Sequence, residues 1–501
     1  MHATGRGPGL APRSDVYPVV LLTVVAAAVR FAALGHQSFW VDETVTAKLL
    51  AEPFTGMLRA LPHSESTPPL YYVLAWCWSR IFGSGEAALR SLSALAGTLA
   101  VPIAYAAGRV LVSRRAGFFV AALATVSPVL VWYSQEARAY ALFVFLAALS
   151  LLSFARANDK PSSGTLALWA VSSALALLTH YFAVFLVACE AALLLRRHRR
   201  RATLLATVAI ATVGIALLPL AAYQAKYASS SWVRSVDLRL RVEETLGQLL
   251  VPSRPSIWAG AGVPEGAGTW WPLGIVLLAV AVGGIFITRG RERRGALIGL
   301  GVGAAAVAAP VILSLGSALL VSGRGDVLLF RNTLYAWLPL QIAVAAGLTA
   351  PRAGRFGVLA AAALWAASLA VLVVNSTTSH LQRDDWRLLA KATGGPGHAI
   401  VLSPSWELHA LEYYSPRVAP AAARAQIQEI DILVRRWNPS YSVPVRSFIP
   451  PPQFSEVGTR TMQNWRLTIF RAPAPLDVSS KELYNARPAN ASRVVVEWPT
   501  R

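Results

Sequence analysis

The chain has 501 residues, 55% hydrophobic and only 14% charged, where a soluble domain carries about 25% charged. Its mean hydropathy is +0.49. These values exclude a disordered chain, a collagen-like chain and an ordinary soluble enzyme, and leave an integral membrane protein. The net charge of +21 does not point to nucleic acid. The basic residues cluster in short gaps between apolar runs, as orientation signals do. The sixteen Trp and fourteen Tyr suit a protein with two water–lipid interfaces to anchor. Cys77 and Cys189 lie in apolar segments without CxxC or Cys/His spacing, so neither a disulfide nor a zinc finger is expected.

A crossing helix needs about 20 apolar residues. On that scale about eleven spans read from the sequence: 16–35, 85–108, 116–133, 138–155, 164–181, 182–195, 202–222, 270–288, 295–320, 333–350 and 355–374. The first follows Arg6 and Arg13 and reads as an uncleaved helix, although Ala26–Ala28 resembles a cleavage site. Every second loop is rich in arginine: Arg109/Arg114/Arg115, Arg156/Lys160, the RRHRRR run 196–201, Arg289/Arg291/Arg293/Arg294 and Arg352/Arg355. The positive-inside rule makes these loops cytoplasmic. The N-terminus is then inside and the C-terminus outside. Pro68–Phe82 (PPLYYVLAWCWSRIF) is too short to cross and would invert the later basic loops if it did. It reads as an interfacial aromatic helix. The external loop 36–84 then holds two short amphipathic helices, and residues 1–375 form a transmembrane domain.

After Asn375 polar residues rise and no apolar run is long enough to span. RDDWRLLAKA (383–392) and WELHALEYY (406–414) read as helices. HAIVLS (398–403), RLTIF (466–470) and RVVVEW (493–498) read as strands. A small extracytoplasmic α/β domain over 376–501 is expected.

Several polar clusters sit at the outer ends of the spans. SFWVDETVTA (38–47) places Asp42 and Glu43 together. They serve either as caps of the helix that follows or as a general base held beside Phe39, Trp40 and Val41. PHSESTPPLYY (62–72) adds His63, Glu65 and Tyr71, as loop and interface anchors or as substrate contacts. In WYSQEARAYAL (132–142), Glu136 and Arg138 either close a turn as a local ion pair or wall a site, since charge near a bilayer is costly and often functional. His180 lies in the tight turn LTHYF and reads as an interfacial hydrogen-bonding group rather than a metal ligand, and counts among the candidate substrate or lipid-phosphate contacts. Arg331 in FRNTLYAWLP either snorkels or clamps a phosphate, for which a guanidinium is suited. Glu190 is expected to pair with Arg196 or Arg197. No GxSxG, P-loop, GxGxxG or HExxH motif is present.

FWVDE, STPPLYY, LRSLSALAGTLAVPIAYAAGR, SPVLVWYSQEARAYAL and LTHYF occur in this order. Together with FRNTLYAWLP and RDDWRLLA they resemble the bacterial GT-C glycosyltransferases of the protein-mannosyltransferase/aminoarabinose-transferase superfamily. The resemblance covers about residues 16–395. It departs from the family at Ser66-Thr67, often basic or His there, and at Asn332, usually Tyr. The resemblance implies a GT-C fold and an inverting transferase. A polyprenyl-phosphate-linked sugar would be the donor, used on the external side, with an envelope glycan, lipid or protein as acceptor. Asp42 would be the base and Glu43 its neighbour. Glu136, Arg138 and Arg331 would lie near the lipid phosphate. No metal is required, and the carboxylate-rich loop leaves a divalent ion open. Two other classes remain: a lipid-glycan flippase, which should show polar or broken helices near mid-membrane, and an assembly protein that kept the fold and lost the chemistry.

Overall fold

The computed structural model describes residues 13–227, 237–253, 271–320, 328–395, 397–403, 405–420, 424–435, 449–479, 481–483 and 493–497. Arg6 and the triplet 324–326 lie outside the described residues. The chain divides into two compact units, Met1–Leu34 with Glu52–Asn375, and Gly35–Ala51 with Ser376–Arg501.

The helices in chain order begin with α1 (Arg13–Phe31), α2 (Val41–Ala51), α3 (Phe54–Ser64), α4 (Leu70–Phe82), α5 (Glu86–Leu111), α6 (Arg114–Val126), α7 (Pro128–Ser134), α8 (Tyr140–Asp159) and α9 (Ser163–Thr179). They continue with α10 (Ala183–Arg197), α11 (Arg201–Tyr227), α12 (Leu238–Leu250), α13 (Trp271–Ile287), α14 (Gly290–Leu320), α15 (Trp337–Leu348) and α16 (Gly354–Thr377). Among the described residues, six helices are long and apolar enough to cross a membrane, or seven if the bent pair α6–α7 is one span. This is a multi-pass helical membrane protein. Every expected span contains a helix, but α9, α10, α13 and α15 have only 17, 15, 17 and 12 residues. The segment 36–84 holds three helices rather than two.

Helix composition separates centre from rim. In α8, 83% of the apolar window is buried, against 17% in α1 and 6% in α11. The exposed Tyr17, Leu21, Ile215 and Leu218 are the lipid-facing side. Apolar burial cannot drive helices together in lipid, so small residues that allow close backbone approach carry the packing. At the α5–α6 contact, a Cβ on Gly108 would sit 2.9 Å from Gly117 Cα. Glu190 lies inside this bundle. Its Oε2 accepts from Ser150 Oγ (2.6 Å) and Trp169 Nε1 (2.8 Å). The expected pairing with Arg196 or Arg197 is replaced by these neutral donors, because Glu190 faces α8 and α9 two turns before the basic end.

In the second unit, the C-terminal segment forms α17 (Trp386–Ala392), α18 (Leu408–Tyr414) and six strands. These are β1 (His398–Ser403), β2 (Val418–Pro420), β3 (Arg424–Arg435), β4 (Ser455–Met462), β5 (Trp465–Ser479) and β6 (Arg493–Glu497). They make one mixed sheet of order β2-β6-β1-β3-β5-β4. Among the described residues, only the β1–β3 pair is parallel. Asp385 caps α17 by accepting from Leu388 N–H at 3.1 Å, a normal N-cap role. One sheet face packs Ala399, Val401, Ile430, Ile432 and Phe470 against Phe454 and Leu483. The other packs Ile400, Leu402, Leu433, Trp465 and Leu467 against α17, α18 and the residues Trp40 and Val41.

Candidate functional site

In the first unit the site is built on a broken helix. Ser127-Pro128 separates α6 from α7 with a 56° bend. The last carbonyls of a helix lack intrahelical donors. Buried Arg30 supplies them, donating to Ala124 O (2.8 Å) and Thr125 O (3.2 Å) and reaching Ser134 Oγ (3.2 Å). Gly97 makes room on α5, since a Cβ there would meet Ser134 Oγ at 2.0 Å. The guanidinium also suits a helix C-terminus electrostatically. This fixes the end of α7 and hence the turn Gln135–Ala139 between α7 and α8.

From that turn Arg138 reaches Glu65. Its Nη1 donates to Oε1 at 2.6 Å and its Nη2 to Oε2 at 2.8 Å. Both side chains are buried. Arg138 thus makes a forked contact with a residue 73 positions away, the strong geometry for a guanidinium and a carboxylate. Thr67 Oγ1 and Tyr72 OH lie 3.2 Å apart, and Tyr72 also hydrogen-bonds Glu65. Tyr71 is buried edge-on to Tyr72, with ring centroids 5.5 Å apart. Glu136 is 1% exposed.

A second group of side chains joins this region. His180 closes α9 and is 3% exposed, not an open interfacial group. It stacks on Phe143 with centroids 4.5 Å apart and planes 6° apart. Phe182 N–H donates to its Nδ1 at 3.3 Å, which leaves the ring proton on Nε2. Arg331 lies 5.9 Å from the Tyr140 ring centroid, and both Arg331 and Arg138 act electrostatically on His180. Tyr133 feels Glu136, Arg331 and Glu244. The structure therefore brings Glu65, Tyr71, Glu136, Arg138, His180 and Arg331 into one polar region. His63 does not join it: it is exposed, with its ring against Tyr223 of α11.

Sequence reasoning missed α12. Arg241 and Glu244 on it are buried, and Arg241 Nη1 donates to Leu328 O at 3.2 Å, beside the Arg331 turn. Asp237 before LRLRVEETLGQLL is an N-cap signal that marks this helix, and its side chain accepts from Arg239 N–H at 2.7 Å.

Asp42 and Glu43 belong to the second unit, in the first turn of α2. Glu43 is fully buried and its Oε2 accepts from Trp40 N–H at 3.3 Å, the reach-back half of a capping box. The approach to α2 is pinned: Phe39 N–H donates to Tyr414 OH at 2.7 Å, and Ser38 Oγ bridges Asp384 O and Trp386 N–H at 2.8 Å each. At this end of the sheet Arg435 pairs with Asp384 (2.8 Å) and with Glu407. Burial pushes the Glu407 carboxyl up to about 8. Arg435 opposes the shift, and Asp384 and Asp42 add to it.

Residues 66–223 match the family model described as dolichyl-phosphate-mannose-protein mannosyltransferase. The match is shorter than half the chain and contains Glu136, Arg138 and His180. Comparison with solved structures gives three matches of low similarity. ArnT from Cupriavidus metallidurans bound to undecaprenyl phosphate is 13% identical with a TM-score of 0.42, covering 91% of this chain and 98% of that one. The Archaeoglobus fulgidus oligosaccharyltransferase AglB, in complex with an inhibitory peptide and a dolichol-phosphate, is 13% identical at 0.43, covering 80% and 63%. The Saccharomyces cerevisiae Pmt1-Pmt2 complex bound to the sugar donor is 18% identical at 0.34, covering 43% and 34%. No curated protein matches the chain. What the chain shares with that family is therefore a matching segment on a multi-pass helical membrane protein.

Proposed function

We propose that this chain is a GT-C glycosyltransferase that moves a sugar from a polyprenyl-phosphate donor to a cell-envelope acceptor on the external face of the cytoplasmic membrane, with inversion at the anomeric carbon. The observation that carries the reading is the family match over 66–223 lying on the segment that presents Arg138 in a buried polar region with Arg331 and Arg241. The acceptor oxygen bonds to the anomeric carbon as the bond to the phosphate oxygen breaks. The lipid phosphate leaves as an anion and needs positive charge rather than a proton. Removing one such donor commonly costs about 3 kcal/mol of barrier. The hydroxyl proton goes to Asp42, with Glu43 holding the α2 turn beside it. Arg138 and Arg331 take the leaving phosphate, Arg138 kept in place by Glu65. The eleven-crossing arrangement, with loop 36–84 and the domain 376–501 outside, completes this reading.

Transfer is tested with the purified chain in liposomes carrying synthetic polyprenyl-phosphate sugars and an envelope extract, following release of polyprenyl phosphate. Turnover of one donor supports the proposal. Accelerated exchange of a lipid-linked glycan between leaflets, with no donor consumed, sinks it in favour of a flippase.

Arg331 gives a sharper check. Arg331→Lys should keep part of the activity and Arg331→Ala very little, since Lys holds charge without the planar fork. Normal turnover by the alanine variant would remove Arg331 from the phosphate site.

Orientation has its own measurement. In a Cys77→Ser background, Arg200→Cys should stay unlabelled by a membrane-impermeant maleimide in intact cells and Arg424→Cys should be labelled. The reverse pattern would invert the topology.

A further inference from the structure

We propose that His398, Glu429 and Asp431 form a binding site for a divalent transition-metal ion in the C-terminal sheet, separate from the residues assigned to sugar transfer. The site is built by register. His398 opens β1 and pairs in register with Glu429 on β3. Glu429 and Asp431 are two apart on one strand, so both share the face of His398. The β-bulge between Ile427 and Glu429 puts them there. Before it, Ala425 and Ile427 face the opposite core.

The donor atoms converge. One ligand atom from each of the three residues lies within 4.8 Å of the others. His398 Nδ1 is 3.2 Å from Asp431 Oδ2 and 3.4 Å from Glu429 Oε1. Ligands at about 2.0–2.2 Å from a zinc ion are separated by roughly 3.0–3.5 Å, the edge of a tetrahedral or octahedral set. Asp431 is 1% exposed, yet its Oδ1 has no hydrogen-bond partner. A buried carboxylate oxygen with nothing to accept from is costly, and a cation held by both oxygens of Asp431 would remove that cost.

The surroundings suit a metal site. Gly394 N–H donates to Asp431 Oδ2 at 2.9 Å. Arg471 holds Glu429 Oε2 at 2.5–2.7 Å, leaving Oε1 toward His398. Such outer contacts orient ligands and are worth about 10–100-fold in affinity. Gly395 lets the loop wrap the ring, since a Cβ there would sit 3.0 Å from His398 Nε2. One imidazole and two carboxylates select a zinc- or manganese-like ion over calcium or magnesium, which favour all-oxygen sets. With one arginine against two carboxylates and a neutral imidazole, the site carries a net negative charge that a dication reverses.

The competing arrangement is an ion pair with a protonated His398 filling the same space. Calorimetric titration of the untagged full-length protein in detergent with Zn2+ alone separates the two. One saturable Zn2+ equivalent is expected. Asp431→Asn and Glu429→Gln should each weaken it at least about 10-fold, while Asp477→Asn, on an exposed carboxylate, should leave it unchanged. Asp431→Asn keeps the side-chain shape and the Gly394 hydrogen bond, so folding should survive, as an unchanged gel-filtration profile would verify. Co2+ should give visible absorption bands that vanish in His398→Gln. Absence of a saturable Zn2+ site, or one of equal affinity in all three carboxylate variants, overturns the proposal and leaves the ion pair.

Discussion

Asp42→Asn is expected to yield a folded protein that transfers sugar roughly 100-fold to 10,000-fold more slowly, the usual range for loss of a general base. Asn keeps the shape of Asp and caps a helix about as well, so a purely structural Asp42 would tolerate the change. The structure reduces the structural share further. The reach-back to the Trp40 N–H is made by Glu43. The entry to α2 is held by Ser38, Phe39 and the burial of Trp40 and Val41. Burying one such large side chain contributes about 1.5–3 kcal/mol, and none of this depends on the Asp42 charge. The Asp42 charge also acts on Glu407, whose carboxyl rises to about 8 through burial first, with Asp384 and Asp42 adding to it. The measurement is single-turnover transfer from a synthetic polyprenyl-phosphate sugar, with donor KM determined alongside. The rate should fall and the KM should hold. Near-normal transfer would move the base to Glu43 or Glu65. Glu43 lies one residue on, about 100° around the helix.

The helices were legible because lipid imposes a length and an apolar composition that few other constraints mimic. Their number was less so. At Ser127-Pro128 and at His180 the apolar pattern runs on while the backbone breaks, and such breaks shorten the helices without changing composition. Buried α12 was missed because polar residues such as Arg241, Glu244 and Gln248 face inward there, against the usual pattern. In the sheet, β1, β5 and β6 announced themselves as short apolar runs. Strand β3 did not, because the bulge after Ile427 shifts its alternation by one residue. Strand β4 is largely exposed and carries little apolar signal. The motif residues themselves were legible as outliers of charge among apolar spans. Their partners were not. Glu65 and Arg138 meet across 73 residues, and Gly35–Ala51 packs with a unit that resumes at Ser376. No local pattern encodes either contact.

The Glu65–Arg138 fork gives the second large effect. Arg138→Ala should lower both stability and activity steeply. Removing one member of a buried ion pair leaves an uncompensated charge, at a cost of about 3–5 kcal/mol. That single variant cannot separate scaffold from chemistry. The double variant Glu65→Gln/Arg138→Met can. Replacing both charges with groups of similar volume is often neutral for stability, and the amide oxygen introduced by Glu65→Gln can still accept from Tyr72. Thermal unfolding in detergent should therefore recover most of the loss seen with Arg138→Ala. Transfer should not recover, because the positive charge proposed to face the leaving phosphate is gone. Glu65→Gln alone should fall between: Arg138 keeps its charge and loses the carboxylate that orients it, so the rate drops while the protein stays folded. If the double variant transfers sugar at a normal rate, the fork is only a brace for the turn between α7 and α8. The phosphate would then have to be met by Arg331 and Arg241 instead.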